Sequence, residues 1–140
     1  MKVTLNRVNQ AVHFEGSSET TTAKIHIDGS PDIGGQGLGA RPMELVLMAL
    51  GSCSILDLLS ILKKQKQEVI AVEIEVEGNR KDAIPAVFTD IHLVFKLIGN
   101  IDAQKANKAA ELAVKKYCSV HDMLAAGGVH ITFAVEINND

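Results

Sequence analysis

Residues 41–66 read RPMELVLMALGSCSILDLLSILKKQK, and this stretch decides the fold. It is predicted as one long helix. Pro42 suits the first helical position, where a missing N–H costs nothing, and Glu44 sets a negative charge in the first turn. Lys63, Lys64 and Lys66 favour the opposite end. The apolar residues keep to no single stripe: Leu45 to Leu50 run consecutively, and Ile55, Leu56, Leu58, Leu59, Ile61 and Leu62 follow. A helix apolar on nearly every side has to be covered on nearly every side. Glu44, Ser52, Ser54 and Asp57 interrupt it before about 18 clean apolar residues accumulate, so a buried core helix is expected rather than a membrane span.

Upstream, Val3, Leu5 and Val8 alternate with polar residues, and Ala11 to Phe14, followed by Glu15-Gly16, continues the pattern after an Asn9-Gln10 turn. This predicts a hairpin. Thr20 to Asp28 adds a half-buried strand, with Ile25 and Ile27 between Lys24, His26 and Asp28. A glycine-rich loop, residues 29–41, leads into the helix.

Downstream, Glu68 to Glu77 and Val87 to Ile98 form a second hairpin across the turn residues Gly78 to Pro85. Asp102 is the expected N-cap of a surface helix from Ala103 to Tyr117. Ser119 with Asp122 resembles a capping box for a short helix through Ala126, ended by Gly127-Gly128. Val129 to Asn138 closes the chain as an alternating strand. The order β-β-β-α-β-β-α-α-β defines an α+β chain of one domain, residues 1–140. One six-strand sheet shields only one side of the central helix, so an extensive apolar homodimer interface is expected.

A chain of 140 residues is large enough to bury a core, and its net charge of −3 leaves no basic footprint for nucleic acid. The stretch MKVTLNRVNQ has no apolar run of the signal-peptide kind, so the expected location is cytoplasmic, with no membrane attachment. Two cysteines make no disulfide scaffold in a reducing compartment.

Gly35, Gly37 and Ala40 match G-x-G-x-x-A, but no buried parallel strand precedes them and no acidic residue follows at the required distance, so no nucleotide cofactor is expected. Five histidines, His13, His26, His92, His121 and His130, show no H-x-x-x-H spacing. Cys118 and His121 form a lone C-x-x-H half-site, which predicts no metal. Cys53 sits mid-helix, where an apolar setting raises a thiol pKa and Asp57 lies one turn away. Cys118 precedes the Ser119 cap, beside Lys115, Lys116 and His121. On these grounds Cys118 is expected to be the more ionised of the two.

The segment PMELVLMALGSCSILDLLSIL, followed some sixty residues later by KYCSVHDML, resembles the OsmC/Ohr superfamily and, within it, the YhfA-like branch most. The resemblance implies an intertwined homodimer whose antiparallel-rich sheets surround central helices. It implies a thiol-dependent peroxidase acting on organic hydroperoxides without a bound cofactor, with Cys53 as the attacking thiolate and Cys118 as its resolving partner. A dithiol, in many members a lipoylated protein, would restore the pair. Members also use an arginine from the N-terminal hairpin and a glutamate near the start of the central helix. Here Arg7 and Arg41 are the nearest arginines, and the glutamate position falls on Met43, with Glu44 displaced by one. A helix side chain turns about 100° per residue, so this shift re-aims the carboxylate. The alternative implied by these departures is a non-peroxidatic dimer that binds an apolar small molecule at the subunit interface.

Overall fold

The computed structural model describes residues 1–139. They form two compact units, Met1–Val46 and a second from Leu47 onward. In the first unit, β1 (Val3–Arg7), β2 (Phe14–Ser18) and β3 (Thr21–Ile27) make an antiparallel sheet in the order β1-β2-β3. β2 starts at Phe14 rather than Ala11, because Asn9 holds the turn: its Oδ1 accepts from the N–H of Ala11 at 2.9 Å and of His13 at 3.2 Å. Those residues are therefore committed to an Asx-type turn and not to a ladder.

The glycine-rich loop is organised by one carboxylate. Asp28 is buried and accepts N–H groups of Gly29 at 2.8 Å, Gln36 at 2.9 Å and Leu38 at 3.1 Å. Gly39 is required here, since a Cβ would stand 2.4 Å from the His26 carbonyl carbon. The loop then hands the chain to α1 (Pro42–Lys64), with Pro42 in the first turn as expected. Glu44 Oε1 accepts from the Arg41 N–H at 2.9 Å and so caps the helix start.

In the second unit, β4 (Glu68–Arg80) and β5 (Phe88–Asn100) are antiparallel, while β6 (His130–Asn138) runs parallel to β5. The six strands thus divide into two three-stranded sheets, not one six-stranded sheet. A parallel neighbour needs a crossover of a dozen residues or more, and the helices between β5 and β6 supply it. Ile91, Leu93, Phe95 and Leu97 of β5 are buried on one face, with Glu73, Glu75 and Lys96 on the other. Lys96 bridges both glutamates, which keeps the outer face wet.

Asp102 caps α2 (Ala103–Leu112) as read, accepting from the Lys105 N–H at 2.9 Å. The helix packs along β6, and its Ala106, Ala109 and Ala110 are buried. It does not continue to Tyr117 as an α-helix; residues Ala113–Tyr117 form a π-helical turn. α3 (Ser119–Ala126) follows, and its cap is Cys118, not Ser119.

Within α1 the fully buried residues are Leu50, Ser54, Leu58 and Leu62, one every four positions, with Gly51 beside them. Each of the three leucines contributes roughly 2 kcal/mol by burial. The rest of the helix is only partly covered, and Met48 is 56% and Leu56 68% exposed. By length and composition alone α1 could cross a bilayer, with a mean hydropathy of 2.2 over its most apolar 18 residues.

Candidate functional site

Cys53 owes its position to Gly51. A Cβ there would meet Val76 Cγ2 at 2.8 Å, so only glycine lets α1 lie this close to β4. Two residues on, Cys53 is half-buried and Ser54 fully buried. The Ser54 hydroxyl donates to the Leu50 carbonyl at 2.8 Å, the usual way a mid-helix serine satisfies itself.

Cys118 reaches the same place from the far end of the unit. The π-helical turn before it takes one residue more per hydrogen-bonded ring than an α-turn and leaves Lys115, Lys116 and Tyr117 outside. Cys118 then leaves the helix with φ −75° and ψ 106°, and its side chain turns inward to 1% exposure. Its Sγ accepts the His121 N–H at 3.3 Å, closing the N-terminus of α3. The side chains of Cys53 and Ser54 are its other polar neighbours.

Burial pushes the Cys118 thiol up from its ordinary pKa; the His121 N–H and the Ser54 hydroxyl pull it down less, and neighbouring Cys53 pushes it up again. This corrects the expectation of an ionised Cys118: desolvation outweighs the helix terminus because the sulfur is inside. The lysines that motivated that expectation face elsewhere. Lys115 pairs with Glu111 at 3.7 Å, and Lys116 lies 5.4 Å from the centre of the Tyr117 ring. His121 acts on the sulfur through its backbone, while its ring Nδ1 meets Asp122 Oδ1 at 3.2 Å.

Ser54 was missed in the sequence as a neighbour of the second thiol, although a serine in so apolar a run was a visible signal. Of the two arginines, Arg7 is spent locally: its guanidinium donates to the carbonyls of Ala11 at 2.7 Å and Gln10 at 2.6 Å. One oxygen of Glu44 is committed to the Arg41 cap. Among the described residues no three His, Cys, Asp or Glu side chains gather as metal ligands.

Fold and site together define an α+β protein with two thiols, one carried by a central helix and the other by the cap of a later one. Residues 35–134 match the OsmC-like protein family, and the chain belongs to it. It is 40% identical over 97 residues to protein YhfA of Escherichia coli K12, covering 69% of this chain and 72% of that one. The sequence resemblance to the YhfA-like branch is thereby borne out. A solved structure of a hypothetical protein from Aquifex aeolicus VF5 is similar at 29% identity and TM-score 0.80, covering 98% of this chain and 96% of that one. The organic hydroperoxide resistance protein OhrB of Bacillus subtilis shares the fold at TM-score 0.64 and 22% identity, over 98% and 96% of the two chains.

Proposed function

We propose that this protein is a cytoplasmic, homodimeric thiol peroxidase that reduces organic hydroperoxides with Cys53 and Cys118. The observation that carries the reading is the adjacency of two thiols 65 positions apart in sequence, one half-buried and one sealed in. Relatives of the same fold named as organic hydroperoxide resistance proteins support a role in oxidative stress.

The two environments divide the labour. Cys53, the more accessible sulfur, attacks the peroxide as a thiolate; the O–O bond breaks, the sulfur takes one oxygen, and the alkoxide leaves to be protonated as the alcohol. Cys118 is held protonated until that point, which suits a resolving group. Its sulfur attacks the Cys53 sulfenic acid, the S–S bond forms, and water departs with the Cys118 proton. A dithiol reductant, such as a lipoylated protein, returns two electrons and two protons to the pair. Glu44, whose carboxylate caps the start of α1, is the third residue of this assignment on the family resemblance alone. The uncovered apolar side chains of α1 supply the dimer interface, and they suit an apolar hydroperoxide.

A second reading rests on Arg7, whose guanidinium is occupied by its own turn. Without a cation on Cys53, the chain is a dimer that binds an apolar small molecule and does no peroxide chemistry. Cumene hydroperoxide separates the two: peroxidase chemistry consumes it with one alcohol formed per disulfide, whereas simple binding leaves it intact and is unaffected by Cys53→Ser.

A further inference from the structure

His13 and His26 stand thirteen positions apart in sequence, yet their rings meet. Nε2 of His13 lies 3.0 Å from Nδ1 of His26, with ring centres 5.1 Å apart and planes inclined by 42°. The register explains the meeting. Glu15 pairs with His26 across β2 and β3, and His13 stands at the end of the turn that leads into β2. The Val8 N–H, which donates to the His13 carbonyl at 3.0 Å, holds that end of the hairpin. His26 is exposed and His13 half-buried, so both rings can be reached from solvent.

We propose that His13 and His26 form a two-imidazole site for a borderline divalent transition-metal ion, bound through His13 Nε2 and His26 Nδ1 with water in the remaining positions. Neutral imidazole is a preferred donor for Ni²⁺, Cu²⁺ and Zn²⁺. Metal–nitrogen bonds near 2.0–2.1 Å set two adjacent ligand nitrogens about 2.9–3.4 Å apart, depending on the angle between them. The observed 3.0 Å falls inside that span. An ion displaces the proton shared by the rings by sitting off the line between the two nitrogens, each ring turning by roughly 40° toward it. Glu15 adds a negative charge opposite His26. Because no third donor joins the pair among the described residues, the ion keeps exchangeable water and the site differs from a closed structural zinc. Linear spacing hid the pair, since its proximity is made by the hairpin register.

The test is a Ni²⁺ titration of the Cys53→Ser/Cys118→Ser protein, so that thiolates do not compete, followed by calorimetry and by the imidazole proton resonances. The expected result is selective broadening of His13 and His26 at substoichiometric Ni²⁺. His13→Gln or His26→Gln each weakens binding by about tenfold or more, and His92→Gln leaves it unchanged. Uniform broadening of all five histidines, or an affinity indifferent to both substitutions, overturns the proposal. The resonances are read on an unaltered hairpin, so a misfolded variant cannot imitate the expected result.

Discussion

The sulfur of Cys118 accepts the backbone N–H of His121 at 3.3 Å, so one atom both caps α3 and lies against the other thiol of the chain. Its titration is therefore tied to the stability of the fold. Burial raises its pKa in the folded state, which means the folded protein holds this proton more tightly than the unfolded chain does. The stabilisation is complete below the ordinary thiol pKa, about 8.5, and is lost as pH rises through the folded value. Cys118→Ser keeps a side chain that caps well and removes this titration. Urea midpoints measured across alkaline pH are expected to fall more steeply for the native protein than for Cys118→Ser.

Gly51 is the contact point between α1 and β4. Gly51→Ala gains about 1 kcal/mol in helix propensity but forces a methyl against Val76, at an overpacking cost of about 1–3 kcal/mol. The expected result is a net loss of roughly 1 kcal/mol in denaturant titrations, opposite to the effect of the same change on an exposed helix face.

Asp28 makes the loop acid-sensitive. Its carboxyl is held below the ordinary value chiefly by the Gln36 N–H, then by the Leu38 N–H, with burial opposing and the Gly29 N–H adding less. The loop stabilisation is present above about pH 3.9 and disappears as pH falls through the folded value. Amide protection at Gln36 and Leu38 is expected to collapse over that acid range in the native protein. In Asp28→Asn it is weak at neutral pH already.

Leu56 is 68% and Met48 56% exposed on a helix whose buried stripe is Leu50, Leu58 and Leu62. With the proposed homodimer, Leu56→Lys is expected to weaken self-association by about tenfold or more while leaving the circular dichroism of the subunit unchanged. Sedimentation velocity over a dilution series checks it.

Much of this arrangement was legible in the sequence because it follows from local rules. Period-two alternation marked β3, β4 and β6, Pro42 and Asp102 opened their helices, and the all-round apolar character of α1 foretold that one chain would leave Met48 and Leu56 uncovered. What escaped was non-local or unusual in chemistry. The split into two sheets is a lack of pairing between β1–β3 and β4–β6, which alternation within single strands does not encode. The π-helical turn has no residue signature, and without it Cys118 reads as the more ionised thiol and Ser119 as the cap. Cysteine is not a preferred cap, so Ser119 took the assignment on propensity. The direction of the Cys118 pKa escapes the sequence for the same reason: nearby charges are visible there, and burial, which decides the sign, is not. Asp28 read only as the end of a strand, since its three N–H partners lie within the loop that it shapes.

The most direct test of the central claim is the rate at which each thiol disappears when the reduced protein meets cumene hydroperoxide, with mass spectrometry of the product. The account predicts rapid loss at Cys53, far above that of a free thiol at the same pH, ending in one Cys53–Cys118 disulfide within each subunit. Loss at Cys53 no faster than for a free thiol, or a product without that disulfide, would contradict it.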